Sequence, residues 1–331
     1  MKNILIVQTA FIGDVILATP LIEKLKRFYP DSQIDFLLRK GNEGLLKGHP
    51  KLNEVLIWDK TKSKYNSLAK LTTQIRKNKY DVLINLQRFA SSGFLTTSSN
   101  AAMKIGFTKN PFSFAFTHKV PHVIDRKMHE VDRNLSLIEH LTDASFQRPV
   151  LYPSDSDYQK VAQYQSIPYF CIAPASIWFT KQYPIEKWVE LIDKLNPERK
   201  IYLLGAPSDI DLCATIKNSS VNSNVTILAG ELTLLQSAAL MEKARMNYTN
   251  DSAPMHIASA VNAPITAIFC STIPEFGFGP VSDNSVIIET QEKLECRPCG
   301  LHGKKACPEG HFKCAHTIDV NQFLSLDRNN T

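Results

Sequence analysis

Four loops of this chain carry side chains of the type and spacing that chemistry needs. The first, Thr9-Ala10-Phe11-Ile12-Gly13-Asp14, follows an apolar run and sets Asp14 at a helix start, where the dipole and free N–H groups favour an ionised carboxylate. Such a group is either a plain helix cap or a carboxylate facing a cleft, able to accept a proton from a hydroxyl. The second is Pro174-Ala175-Ser176 with Lys181 a few residues on; that ammonium either lies on the surface or complements a diphosphate. In the third, Gly205-Ala206-Pro207-Ser208-Asp209, the acid either caps the following helix or binds ribose hydroxyls. The fourth, Asn250-Asp251-Ser252-Ala253-Pro254-Met255-His256, is the most informative. Pro254 opens a helix whose first N–H groups suit a diphosphate, and Ala258, Ser259 and Ala260 let it pack closely. A lone histidine is usually structural; His256, in the first turn beside Asp251 and Ser252, is a better candidate for a site.

These loops need strands and helices to aim them. Residues 3–8, 33–38, 55–58 and 81–86 read as short buried strands. A helix is expected after Asp14 through VILATPLIEKLKRFYP, with Ile16, Leu17, Leu21, Leu25 and Phe28 on one stripe, and another over 66–78. Pro153, Ser154, Ser156 and the polar run to Ser166 suggest a connection holding a short helix. The alternation then restarts, with strands at 169–173, 200–204, 225–228, 246–249 and 265–269 and helices at 185–195, 210–216, 234–244 and 255–261. Strand–helix alternation means parallel sheets covered by helices. The expected fold class is α/β, with two Rossmann-like domains, residues 1–158 and 159–331, facing each other across a cleft in which ligands bind.

The length of 331 residues fits two domains, and 44% hydrophobic with 21% charged residues is ordinary globular composition. The apolar run at the start stops after four residues, at Gln8 and Thr9, which reads as a strand and not a leader. No stretch reaches the roughly 18 apolar residues that span a bilayer. The expected setting is therefore cytoplasmic. Residues 1–150 hold 23 Lys and Arg against 13 Asp and Glu (+10), and residues 151–331 hold 15 against 19 (−4). Residues 60–79 carry seven cations and no acid, either a solvated helix face or a surface for a polyanion. Only Tyr65 and Tyr80 lie near these cations, which argues against a single-strand nucleic-acid platform. Neither G-x-G-x-x-G nor G-x-x-x-x-G-K-[ST] occurs, which weakens an oxidoreductase reading.

Seven cysteines are too few and too unevenly placed for a disulfide framework. Cys171, Cys213 and Cys270 sit in apolar segments and read as core. Cys296, Cys299, Cys307 and Cys314 form C-x₂-C-x₇-C-x₆-C, open to structural zinc, to reduced thiols in a compact loop, or to a disulfide.

Taken in order, Gly13-Asp14-Val15 after a strand, Lys181 before Tyr183-Pro184, the GAPSD turn and NDSAPMHIA resemble glycosyltransferase family 9, the heptosyltransferases of lipopolysaccharide inner-core assembly, over nearly the whole chain. The Cys-rich loop 296–314 and Phe11 are similar to the heptosyltransferase II branch, whereas Ala253 stands in place of the family's usual glycine and Asp209 where a glutamate is frequent. The resemblance implies a GT-B fold, with an acceptor-binding domain first and a nucleotide-sugar-binding domain second. It implies inverting transfer of heptose from ADP-heptose to an anionic, lipid-linked Kdo–lipid A glycan, with no catalytic cofactor. Carried over by position, Asp14 is the general base. Ser176, Lys181, Asp209, Asp251, Ser252, Ala253 and His256 are expected to line the donor site, and Phe11 and Gly13, with Lys60, Lys62, Lys64 and Arg88 of the basic half, to meet the acceptor. The basic first half suits that acceptor and peripheral contact with the inner face of the cytoplasmic membrane. Two rival readings are a family member using another nucleotide sugar or glycan, and a zinc-stabilised nucleic-acid-binding protein, which would need a steep salt dependence.

Overall fold

The computed structural model describes residues 1–60, 64–124 and 128–323. Two compact units divide the chain, Met1–Tyr152 and a second beginning at Pro153.

The first unit runs β1 (Asn3–Val7), α1 (Ile12–Ile16), α2 (Thr19–Phe28), β2 (Gln33–Arg39), β3 (Glu54–Trp58), α3 (Lys64–Asn78), β4 (Val82–Asn85), α4 (Ala90–Thr97), β5 (Met103–Phe107), β6 (His118–Val120) and α5 (Glu130–Leu135). Its strands form one parallel sheet, β3-β2-β1-β4-β5-β6. The central strands are apolar on both faces because helices cover both; Ile4, Leu5, Ile6 and Val7 are all buried.

The single helix expected after Asp14 is in fact two. Pro20 lacks the N–H that would bond the Ile16 carbonyl, so the ladder breaks, and the Thr19 hydroxyl donates to that carbonyl instead at 2.8 Å. Residues 87–152, in which the sequence suggested no element, hold α4, β5, β6 and α5. Their strands are short, and β6 is an edge strand without a buried position, so no hydrophobic period marks them.

The second unit runs α6 (Asp155–Val161), β7 (Tyr169–Ala173), α7 (Ile185–Lys194), β8 (Lys200–Leu203), α8 (Ile210–Ser219), β9 (Val225–Ile227), α9 (Leu234–Glu242), β10 (Met246–Asn250), α10 (Ala253–Ala260), β11 (Ile265–Phe269), β12 (Ser285–Glu289) and α11 (Lys313–His316). The sheet order is β12-β11-β10-β7-β8-β9, again parallel. Its core takes in the tail: Phe312, Cys314, Ala315, Ile318, Val320 and Phe323 pack with Tyr183, Trp188 and Tyr248.

In each unit the strand order reverses once, between β1 and β4 in the first sheet and between β7 and β10 in the second. The loops leaving the carboxyl ends of such a pair part to opposite faces and leave a crevice, where open α/β sheets bind ligands.

Candidate active site

Asp14 leaves the carboxyl end of β1, at the reversal point of the first sheet. It is half-buried in the first turn of α1, and its Oδ2 accepts the Phe11 N–H at 3.2 Å. The turn is held from three sides. Gln8 Oε1 accepts the Ala10 N–H at 3.2 Å and is bonded by Gln87 Nε2 from the loop after β4. Asn42 Nδ2 donates to Ala10 O at 2.9 Å, and buried Asn134 of α5 donates to Leu17 O, just past α1, at 3.0 Å.

The loops of this edge collect cations. Lys60, after β3, donates to Thr9 Oγ1 at 2.9 Å and lies 4.4 Å from the Trp58 ring. The Arg39 guanidinium, from β2, stacks 4.9 Å over exposed Phe11. Arg88 is exposed after β4. The other expected acceptor contacts divide. Gly13 is within α1 beside Asp14, whereas Lys62 and the Lys64 side chain lie outside the described residues. The basic run is split by topology as well. Because α3 returns the chain to the start of β4, Arg76, Lys77 and Lys79 sit at the opposite edge of the sheet from Asp14.

Glu130 and Arg133, which the sequence did not single out, form a pair whose carboxylate feels the Asp14 charge. Glu130 is buried on α5 against the Arg133 guanidinium. Burial, with the Asp14 charge adding to it, raises its carboxyl to about 7 despite Arg133. His122, beyond β6, is held neutral down to about 4 by burial and by Arg88, Arg133 and Lys109. No periodicity announces these groups; only folding brings Glu130 within reach of the Asp14 charge and His122 within reach of Arg88 and Arg133.

His49, elsewhere in this unit, is also lowered to about 4, mainly by burial, and its Nδ1 accepts the Lys51 N–H at 3.2 Å. A histidine depressed in the folded state binds fewer protons there than when unfolded, so it costs stability as pH falls from about 6.5 toward 4. Glu130 works in the opposite sense, favouring the folded state as pH falls from about 7 toward its ordinary range. Between pH 7 and 5 the wild type should therefore lose about 2 kcal/mol relative to His49→Asn, which keeps an acceptor for Lys51. Urea unfolding of both proteins at the two pH values measures this, and a constant gap between them would contradict it.

In the second unit the reversal point brings Lys181 and Asp251 together. Lys181 Nζ lies 2.7 Å from Asp251 Oδ2, both side chains largely buried, and Thr272 Oγ1 donates to the same oxygen at 2.6 Å. Asn250, fully buried at the end of β10, accepts the Tyr183 N–H at 3.0 Å and donates to Pro174 O at 2.7 Å. One amide thus ties the loops after β7 and β10. Ser176 lies in the first of these loops, its carbonyl accepting from Gln182 Nε2 at 2.6 Å.

Ser252 caps α10 and Ala253 opens it, but the first turn offers fewer donors than the sequence suggested. Pro254 has none, and the Met255 N–H already bonds Ser252 O at 3.1 Å. His256 is buried on α10. Asp209 follows β8 and caps its own turn, accepting the Ala206 N–H at 2.8 Å and the Ser208 hydroxyl at 3.1 Å.

The Cys-rich loop closes this edge from the other side. Arg297 donates to the Cys270 and Thr272 carbonyls at 2.7 and 2.8 Å and pairs with Glu289 at 2.6 Å. Lys304 N donates to Thr180 Oγ1 at 2.8 Å. All seven cysteines are free thiols, and among the described residues no three His, Cys, Asp or Glu side chains are arranged to hold a metal. Burial pushes the Cys314 thiol up to about 12, a reduced core side chain. Cys299 Sγ bonds Cys296 O at 3.3 Å, and Cys307 Sγ accepts the Phe312 N–H at 3.4 Å.

Two parallel α/β units, each with polar loops gathered at its sheet's reversal point, define the GT-B class of glycosyltransferase. The chain belongs to glycosyltransferase family 9 (heptosyltransferase), whose family model matches residues 68–310. It is 31% identical over 298 residues to lipopolysaccharide heptosyltransferase 3 of Escherichia coli, covering 83% of this chain and 85% of that one. The glycosyltransferase family 9 structure from Veillonella parvula superimposes with a TM-score of 0.85 at 23% identity, covering 99% and 96% of the two chains. The E. coli ADP-heptose heptosyltransferase II structure does so with a TM-score of 0.77 at 21% identity, covering 99% and 100%. These two likenesses establish the fold. Among the described residues no helix is long and apolar enough to cross a membrane.

Proposed function

We propose that this enzyme transfers heptose, with inversion, from ADP-heptose to the anionic inner core of a lipid-linked lipopolysaccharide precursor. The first unit binds the acceptor and the second the nucleotide sugar. Asp14 takes the proton from the acceptor hydroxyl as it attacks the anomeric carbon. The departing ADP gathers negative charge on its diphosphate, which Lys181 and the Ala253 N–H at the start of α10 stabilise without a metal. Ser176, Asp251, Ser252 and His256 shape the donor pocket, and Asp209 reaches the ribose. Phe11, Lys60 and Arg88, with Gly13 leaving room for approach, meet the acceptor's sugars, phosphates and carboxylates. The enzyme works in the cytoplasm, at the inner face of the membrane that holds its acceptor.

The observation that carries this reading is the Lys181–Asp251 pair at the reversal point of the second sheet. A buried ammonium held by one of its three donors keeps the other two for a diphosphate. The donor is supported by the name of the E. coli ADP-heptose heptosyltransferase II, and the acceptor by that of the lipopolysaccharide heptosyltransferase 3 relative. The test is transfer from ADP-heptose to a Kdo–lipid A acceptor, followed by mass spectrometry, against a panel of other nucleotide sugars. The right donor at a hundred times its Kd should also stabilise the fold by about 2.7 kcal/mol. Equal stabilisation by uridine and guanosine sugars would sink the assignment.

Cys296, Cys299, Cys307 and Cys314 are the residues that would hold a structural zinc. Metal analysis of protein purified without chelator should find one zinc per chain in that case, and removal should lower the melting temperature with the kcat of the still-folded fraction unchanged. Absence of metal in protein of full stability would leave the four as packing thiols.

A further inference from the structure

Four phenylalanines gather on the two loops that leave β4 and β5. Phe89 precedes α4, Phe94 lies one turn on, and Phe112 and Phe114 belong to the loop after β5. The Phe94 and Phe112 rings meet edge to face at 6.4 Å, and Phe112 stacks on Phe114 at 6.1 Å. Yet Phe89, Phe94 and Phe114 are 64%, 45% and 77% exposed. The Phe94, Phe112 and Phe114 rings thus form one aromatic patch in water, with Phe89 exposed beside it at the start of α4, and such a patch marks an interaction surface.

The patch is rigidly mounted. Asn110, buried between the loops, donates to Gln87 O at 2.9 Å and Phe89 O at 3.2 Å and accepts the Phe112 N–H at 2.9 Å. Gly93 lets α4 close on it, because a Cβ there would overlap Asn110 Oδ1 and stand 2.9 Å from Phe112 Cβ. Gly93→Ala should therefore lower the melting temperature, although alanine is the better helix former; an unchanged or higher one would show that the loop yields.

Its surroundings say what it meets. Residues 82–124 contain no Asp or Glu but carry Arg88, Lys104, Lys109 and Lys119. Arg88 and Lys109 are exposed on the same two loops as the phenylalanines. A two-fold contact with a second copy would set these cations against their own images. Exposed aromatic side chains flanked by Arg88 and Lys109 instead match an anionic lipid leaflet, where the rings enter the headgroup boundary and the cations meet phosphates. We propose that this face docks the enzyme on an anionic membrane surface through Phe89, Phe94, Phe112 and Phe114. The link to catalysis rests on the function proposed above, since the patch shares the sheet edge of Asp14 and would present that edge to a membrane-held acceptor.

The test is co-sedimentation of the full chain with phosphatidylcholine vesicles, with and without phosphatidylglycerol, for wild type and Phe89→Ser/Phe114→Ser. Wild type should bind the anionic vesicles, weakly at high salt, and the variant about tenfold less or worse at an unchanged melting temperature. Equal binding by the two proteins would overturn the proposal, as would sedimentation velocity showing a dimer that the variant dissociates without change in vesicle binding. In the transfer assay the variant should be slow only on vesicle-borne acceptor and normal on a water-soluble, deacylated one. Equal slowing on both acceptors would also overturn the docking role. If wild type transfers to neither, the functional reading fails while vesicle binding still decides the surface.

Discussion

Asp14→Asn is expected to lower the rate of sugar transfer by roughly 10²–10⁴-fold, the range a general base contributes, while leaving the fold and ADP binding intact. The amide can still accept the Phe11 N–H that Asp14 Oδ2 takes at 3.2 Å, so α1 keeps its first turn. What it cannot do is take a proton at neutral pH. The loss should fall on kcat, with little change in the KM for donor, because no proton moves in the ground state. Asp14→Glu keeps the base but advances it by a methylene, and should retain more activity than the amide. Single-turnover transfer and ADP titration of the same preparation separate the two effects. Full turnover by Asp14→Asn would remove this residue from the chemistry, and loss of ADP binding would mean that it acts through the fold. Glu130 complicates the variant in a useful way. Its carboxyl is raised in part by the Asp14 charge, so removing that charge should lower its pKa.

Lys181→Met has the second large effect, and it falls on stability as well as catalysis. The substitution leaves Asp251, 6% exposed, without its cation, and breaking one partner of a buried pair typically costs about 3–5 kcal/mol. Thr272 still donates to Asp251 Oδ2 at 2.6 Å, which holds the expected loss toward the lower end of that range. Lys181→Met/Asp251→Asn removes both charges and should recover most of the stability without recovering transfer, since the diphosphate still lacks its ammonium. Thermal unfolding read beside ADP titration for both variants tests this. Recovery of ADP binding in the double variant would show that the lysine serves the fold alone.

Ile4 to Val7, Tyr169 to Ala173 and Ile265 to Phe269 were legible as strands because a sheet covered on both faces demands unbroken apolar runs. The polar loops after these strands, and after β8 and β10, stood out by contrast, which is why Asp14, Lys181, Asp209 and Asp251 could be singled out. Asn250 carried a signal too, an amide closing a buried strand. Thr272, Glu130 and Arg133 carried none. The break at Pro20 was written in the sequence but masked by an apolar stripe that continues across it.

By itself, then, the sequence determined two α/β units, the carboxyl-edge loops that bear their polar groups, and the family to which the chain belongs, because local periodicity and loop chemistry are properties of neighbouring residues. Only the tertiary structure decided that β1 lies beside β4 and β7 beside β10, and hence which loops share a crevice. It alone joined Lys181 to Asp251 across 70 positions, sent Arg76, Lys77 and Lys79 of the basic run to the far edge of their sheet, and held three phenylalanines out in water. Strand order, buried charge pairing and exposure depend on contacts between residues far apart in the chain, and the free energies that select them belong to the packed whole.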